Sequence, residues 1–164
     1  MASAAASQPV VFGCPLTGQV EPVSHCPDPT FAREILGPGV CIQPEDCVLY
    51  APADAQVEFL LSTKHALGLS TPQRIKFLIH LGLDTNRLEG EGLEAFVQTG
   101  DFVRRGDKLL AYNPAVMEKA HCSMNTPFVF CNTQEGWRVE LLRTGLVSAG
   151  EDLVQLVPQE PSSP

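Results

Sequence analysis

The side chains with most chemistry to offer sit in the run Arg74-Ile-Lys-Phe-Leu-Ile-His80-Leu-Gly-Leu-Asp84-Thr-Asn-Arg-Leu-Glu-Gly-Glu-Gly92. Read as a strand, its period of two puts Leu78, His80, Gly82 and Asp84 on one face and Phe77, Ile79, Leu81 and Leu83 on the other. The second face is apolar and suits a core. On the first, Gly82 is expected to leave space beside His80 for a ligand or partner, and Asp84 adds a carboxylate. Neutral imidazole is nucleophilic near pH 7, so this pattern suits an exposed, working imidazole. One ring nitrogen must then be held as a donor, and the Gly82 backbone carbonyl is a natural acceptor. The same pattern also fits a histidine that merely packs, and Asp84 equally fits a residue that starts the turn at Thr85-Asn86 through its side chain.

A second histidine, His65, ends Ala53-Asp-Ala-Gln-Val-Glu-Phe-Leu-Leu-Ser-Thr-Lys-His-Ala-Leu-Gly68. If a strand persists there, Val57, Phe59, Leu61, Thr63 and His65 share one phase. His25, in a Pro-rich loop, and His121, after a short helix, read as incidental. No G-x-x-x-x-G-K phosphate loop occurs, so neither Mg²⁺ nor another cofactor is expected.

The elements that must position these residues are short. Strands are expected in Phe12–Val20, Val40–Pro44, Cys47–Pro52, around Gly100–Leu110, in Thr126–Asn132, in Trp137–Leu142 and between Gly145 and Val157, with Gly and Pro between them. Helical turns are expected at Phe31–Leu36, around Leu93, Phe96 and Val97, and at Ala115–Ala120 after Pro114. This predicts an all-β antiparallel sandwich or barrel with a few short helical turns. Phe31 reads either as a surface anchor or as an ordinary core residue. A flexible tail is expected over residues 1–9, one domain over 10–158, and a tail or linker over 159–164.

The 164 residues are 44% hydrophobic and 18% charged, with a net charge of −8. That size carries a core, and the acidic balance argues against nucleic acid and toward protein partners. The start Met-Ala-Ser-Ala-Ala-Ala-Ser lacks a signal-peptide pattern and no run suits a membrane span, so a soluble cytoplasmic chain is expected. The cysteines at 14, 26, 41, 47, 122 and 131 include no C-x-x-C pair, and most are expected to be reduced core residues.

Taken in order, the fragments resemble the glucose-type enzyme IIA domain of the bacterial phosphoenolpyruvate-dependent sugar phosphotransferase system. They run from Pro15-Leu-Thr-Gly18 through Phe31-Ala and Gly37-Pro-Gly-Val-Cys-Ile-Gln-Pro44 to Ala51-Pro-Ala-Asp54 and Thr63-Lys-His-Ala66. His80-Leu-Gly-Leu-Asp-Thr85, Leu88-Glu-Gly-Glu-Gly92, Gly106-Asp107, Thr126-Pro127 and Gly145 to Gly150 complete the set, which covers residues 14 to 157. The resemblance implies a β-sandwich in which His80 is phosphorylated, His65 contacts the phosphoryl group and Thr63 is hydrogen-bonded to His65. It implies the carrier HPr as donor and a cysteine of an enzyme IIB domain as acceptor, with possible regulatory targets besides. Phe31, Leu61 and Leu78 match its apolar docking patch, and Asp28 and Asp84 its acidic rim.

Ala55, Leu61, Leu78, Asn86 and Arg87 depart from the family's usual residues and bear on partner preference. Two other functions compete. One is a zinc peptidase of the lysostaphin type, because His80 and Asp84 fit H-x-x-x-D; the H-x-H that family needs downstream is missing from the sequence. The other is a non-catalytic regulatory module. No intrinsic metal site is expected, although His65 and His80 are possible Zn²⁺ ligands in a complex whose partner supplies a carboxylate.

Overall fold

The computed structural model describes residues 8–133 and 136–159. The expected tails therefore fall largely outside the described residues, at 1–7 and 160–164. Among the described residues, fourteen strands run from Val10 to Pro158. In chain order they are β1 (Val10–Gly13), β2 (Gly18–Pro22), β3 (Gly39–Pro44), β4 (Val48–Tyr50), β5 (Ala55–Leu60), β6 (Ala66–Ser70) and β7 (Lys76–His80). β8 (Leu93–Ala95), β9 (Phe102–Val103), β10 (Lys108–Tyr112), β11 (Thr126–Phe130), β12 (Trp137–Leu141), β13 (Gly145–Val147) and β14 (Asp152–Pro158) follow.

Eight of them form one sheet in the order β13-β2-β3-β11-β7-β6-β5-β9, and two three-stranded sheets, β1-β14-β12 and β4-β10-β8, complete the fold. All the pairings are antiparallel. Side chains from all three sheets meet in one core: Phe12 and Leu156, Leu49 and Leu110, and Val57, Leu67, Phe77, Ile79 and Phe128. Phe12, Phe77, Phe128 and Phe130 stack edge to face or tilted, with the Phe12 and Phe130 centroids 4.9 Å apart. Such offset geometries favour the aromatic quadrupole and hold the sheets in one arrangement. The expected antiparallel β-sandwich is the observed architecture.

Alternation along β7 separates core from site. Phe77 and Ile79 point inward and are buried, whereas Leu78 and His80 are half-buried on the outer face. Part of that face is roofed by a one-turn helix, Pro29–Ala32, and a 3-10 turn, Val23–His25. Their Val23, Cys26 and Phe31 pack on Cys41 of β3, Val129 of β11 and Leu83. Asp28 caps the helix, its carboxylate accepting from Thr30 N at 2.9 Å. Gly37 ends the segment at φ +126°, where an added Cβ would overlap the Phe130 carbonyl.

Several local expectations are corrected. The strand expected through Asp84 ends at His80, because Gly82 and Asp84 take left-handed backbone at φ +77° and +59°. The phase expected from Val57 to His65 breaks twice. A register shift between Val57 and Phe59 turns Phe59 outward, and β5 stops at Leu60, so His65 immediately precedes β6 rather than ending β5. Leu93, Phe96 and Val97 are not helical; Leu93–Ala95 pairs with β10 as a strand, sheet pairing overriding helical spacing. Among the cysteines, only Cys14, Cys26 and Cys41 are buried, Cys47 and Cys122 are intermediate, and Cys131 is exposed. Burial therefore accounts for half of the six rather than most.

Candidate functional site

Register places the two histidines together. β6 and β7 pair with Ala66 opposite His80, so His65, one residue before Ala66, lies beside the end of β7. The tie is completed by Leu81 N, which donates to His65 O at 2.7 Å. The loop before β6 turns tightly, with Lys64 at φ +61° and its N–H donating to Leu61 O at 2.8 Å. The two imidazoles then stack edge to face, centroids 4.9 Å apart and planes inclined by 73°.

Each ring is held by its Nδ1. His80 Nδ1 lies 2.5 Å from the Gly82 carbonyl oxygen. A carbonyl can only accept, so His80 carries its proton on Nδ1 and keeps the Nε2 lone pair free. His65 Nδ1 lies 2.6 Å from Thr63 Oγ1. His80 is half-buried, whereas His65 is only 6% exposed.

Gly82 does not open space as expected. A Cβ on it would lie 2.7 Å from Thr85 Cγ2 and 2.9 Å from Ser123 O, at φ +77°. The residue is glycine because the chain must turn in a filled position to aim its carbonyl back at His80. Its N–H donates to Thr126 Oγ1 at 3.2 Å, and Leu83 N donates to Ser123 O at 2.8 Å. Thr126 and this 123–126 backbone support are parts of the site to which sequence reasoning assigned no role; the signals were the Thr126-Pro127 match and a threonine ahead of an otherwise apolar strand. Gly82→Ala is expected to cost about 3 kcal/mol through strain and overlap, read as a lower denaturant midpoint.

Phe31 is buried rather than a surface anchor, at 5% exposed, and its ring centroid lies 5.4 Å from that of His80, forming one wall of the site. Asp84 starts the 3-10 turn Thr85–Leu88 with no side-chain cap hydrogen bond. Its left-handed backbone, not its carboxylate, makes the turn, which corrects the side-chain turn expectation. Asp28 and Asp84 both act on His80 through their charge.

Leu61, 40% exposed, and half-buried Leu78 lie on the outer surface. Phe59, 42% exposed, joins them. Its ring lies over Gly68, where a Cβ would strike Phe59 Cε2, and Gly68 is opposite Leu78. Sequence reasoning assigned Phe59 no docking role, because the bulge that turns it outward is a property of strand pairing. His25 and His121 lie on the surface, the first 3.8 Å from Glu21 and the second at φ +57° after the helix Pro114–Lys119.

Burial lowers the pKa of His80, opposed by its bond to Gly82 and by Asp28 and Asp84, and burial together with His80 lowers that of His65. Both rings are therefore neutral at pH 7. The sign for stability follows: as pH falls below the ordinary value of 6.5, the unfolded chain binds protons that the folded chain refuses. Stability is full above that value and is lost as pH falls toward the lowered folded pKa values. The drop in denaturation midpoint between pH about 7.5 and about 5.5 is expected to shrink in a His65→Gln/His80→Gln variant.

The β-sandwich presents one imidazole with its Nε2 lone pair free beside a second imidazole, an arrangement that can carry a group-transfer step. The family model for the phosphoenolpyruvate-dependent sugar phosphotransferase system, EIIA 1, matches residues 10–136. The chain belongs to this family, whose members are phosphotransferase components. It is 38% identical over 140 residues to a glucose-specific EIIA component of Oceanobacillus iheyensis, covering 85% of each chain. It is also 38% identical over 156 residues to a beta-glucoside-specific EIIBCA component of Dickeya chrysanthemi, covering 95% of this chain but 25% of that one. Among solved structures, glucose permease IIA from Mycoplasma capricolum matches with a TM-score of 0.83 at 29% identity, covering 90% of this chain and 96% of that one.

The competing zinc-peptidase reading gains no support. Among the described residues, no group of three or more His, Cys, Asp or Glu side chains is arranged to hold a metal ion, and no helix is long and apolar enough to cross a membrane.

Proposed function

We propose that this chain is a phosphocarrier of sugar uptake in which His80 accepts a phosphoryl group from phospho-HPr and passes it to a cysteine of an enzyme IIB domain, in the cytoplasm. The observation that carries this reading is the bond from His80 Nδ1 to the Gly82 carbonyl, which leaves the Nε2 lone pair free. That lone pair attacks phosphorus in line as the N–P bond to the donor imidazole breaks, and the donor nitrogen keeps the electron pair. Transfer onward reverses the roles: a cysteine thiolate attacks and His80 Nε2 leaves.

In this role the Thr63 hydroxyl donates to His65 Nδ1, which places the His65 proton on Nε2 as a donor to phosphoryl oxygens. Phe31 walls the imidazole, Asp28 and Asp84 supply the acidic rim, and Leu61 and Leu78, joined by Phe59, form the apolar docking surface for both partners. Residues 10–158 act as the working domain.

The test is phosphoenolpyruvate-driven labelling with purified enzyme I and HPr, read by intact mass and ³¹P NMR. One acid-labile phosphoryl adduct per chain is expected. A folded protein that takes up none overturns the reading.

A further inference from the structure

The backbone on either side of Gly82 is held at each polar group in turn. Leu81 N donates to His65 O and Leu83 N to Ser123 O, at 2.7 and 2.8 Å. Between them, Leu81 O accepts from Thr85 Oγ1 at 2.7 Å, Gly82 N donates to Thr126 Oγ1 at 3.2 Å, and Gly82 O faces His80 Nδ1. Two of these partners are buried hydroxyls, since Thr85 and Thr126 are both 0% exposed. Thr126 opens β11 and gives its one proton to Met124 O at 2.8 Å, so it ties the Gly82 turn to the 123–126 segment. Within that segment Asn125 donates to Ser123 Oγ from its backbone N–H at 3.3 Å and from its side chain at 3.1 Å.

We propose that Thr126 and Thr85 are positioning residues for His80: by clamping the two peptides that meet at Gly82, they confine the ring proton to Nδ1 and reserve Nε2 as the nucleophile. Glycine makes the clamp necessary. At φ +77° and without a Cβ, Gly82 has backbone freedom that another residue would lack. Turning the Gly82–Leu83 peptide over would replace the carbonyl beside His80 with Leu83 N–H. Nδ1 would then have to accept, the ring proton would move to Nε2, and no lone pair would be left there to attack phosphorus.

Each threonine opposes that inversion. Turning the peptide over breaks the bond from Leu83 N to Ser123 O, and Thr126 keeps Ser123 in place through its bond to Met124 O. The Leu81–Gly82 peptide is pinned at both edges, its carbonyl by Thr85 and its N–H by Thr126. The Gly82 carbonyl and Leu83 N–H belong to one amide, so donation to Ser123 O also polarises that carbonyl and strengthens its hold on His80. Both threonines act through Gly82, and neither is assigned contact with the transferred group. A purely structural part for them predicts lower stability around an unchanged ring, whereas positioning predicts a changed ring.

The test reads the ring itself, by long-range ¹H–¹⁵N NMR of the whole labelled protein at pH about 7.5, with the His80 signals assigned by their loss in His80→Gln. Wild type is expected to carry the His80 proton on Nδ1. Thr126→Val keeps the volume and removes the hydroxyl, and should draw the two His80 nitrogen shifts together; Thr126→Ser should restore them. Phosphoryl uptake in Thr126→Val is expected to fall about fivefold, in step with the loss of the Nδ1-protonated population, with KM for phospho-HPr unchanged. Thr85→Val should do the same, and carries the test alone if Thr126→Val does not fold. The control is Thr71→Val, which removes another buried hydroxyl, bonded to Ile75 N at 3.1 Å, at the end of the β6–β7 hairpin away from His80. It should lower the denaturation midpoint and leave ring and uptake unchanged. A wild-type proton on Nε2, folded Thr126→Val and Thr85→Val with the wild-type ring pattern, or an equal ring change in Thr71→Val overturns the proposal. Uptake rests on the phosphocarrier reading and the ring pattern does not, so absence of uptake in wild type counts against that reading alone.

Discussion

His80→Gln is expected to abolish phosphoryl uptake altogether, the largest effect of any single substitution in this chain. Glutamine keeps a polar side chain of similar reach, and its amide can donate toward the Gly82 carbonyl that His80 Nδ1 contacts at 2.5 Å. It has no ring nitrogen with a free lone pair, so nothing replaces Nε2 as nucleophile. His80 stands at the last position of β7 and is half-buried, outside the aromatic core, so folding should survive. The variant should give a native denaturation transition and no mass increment after incubation with phosphoenolpyruvate, enzyme I and HPr. An undiminished, acid-labile increment on the variant would move the acceptor to another residue, and His65 would be the first to test.

The second large effect is expected at His65. His65→Gln should still fold, and should slow transfer from His80 to the enzyme IIB cysteine by about 10² to 10³-fold, the scale on which removing one oriented donor acts on transition-state charge. The reason is geometric. The His65 ring lies 4.9 Å from that of His80 and is turned by its Nδ1 contact with Thr63 at 2.6 Å; in the proposed role its Nε2 donates to phosphoryl oxygens. Thr63→Ala, which frees the ring without removing it, should fall between wild type and His65→Gln. Rapid-quench measurement of onward transfer from pre-phosphorylated protein separates this from a loss of initial uptake. His65 is only 6% exposed, so loss of the folded state in His65→Gln would assign it a structural role instead.

Much of the fold was legible because antiparallel strands with one face on a core alternate with period two, and because Gly and Pro punctuate them. Phe77, Ile79 and Leu81 against Leu78 and His80 is that alternation, and the burial follows it. Family resemblance added the pairing of His65 with His80 and the part of Thr63, which no local pattern contains. The helix expected at Leu93 to Val97 failed because three apolar residues at helical spacing fit a short strand equally well once β10 offers hydrogen bonds.

What the sequence by itself determined is residue chemistry and local alternation: two histidines, an apolar sandwich core, and a glycine at position 82. The tertiary structure alone decided how these meet. Register set Ala66 opposite His80 and so brought two rings distant in sequence within stacking distance. The bulge in β5 turned Phe59 onto the site face. Thr85 and Ser123 filled the space beside Gly82 that the sequence seemed to leave open. Packing of residues 23–32 on β3 and β11 placed Phe31 against His80. The physical reason is common to all four. Side-chain alternation is a property of each strand, whereas register, bulges and the filling of gaps are settled by which strands and loops pack together, and those contacts span the whole chain.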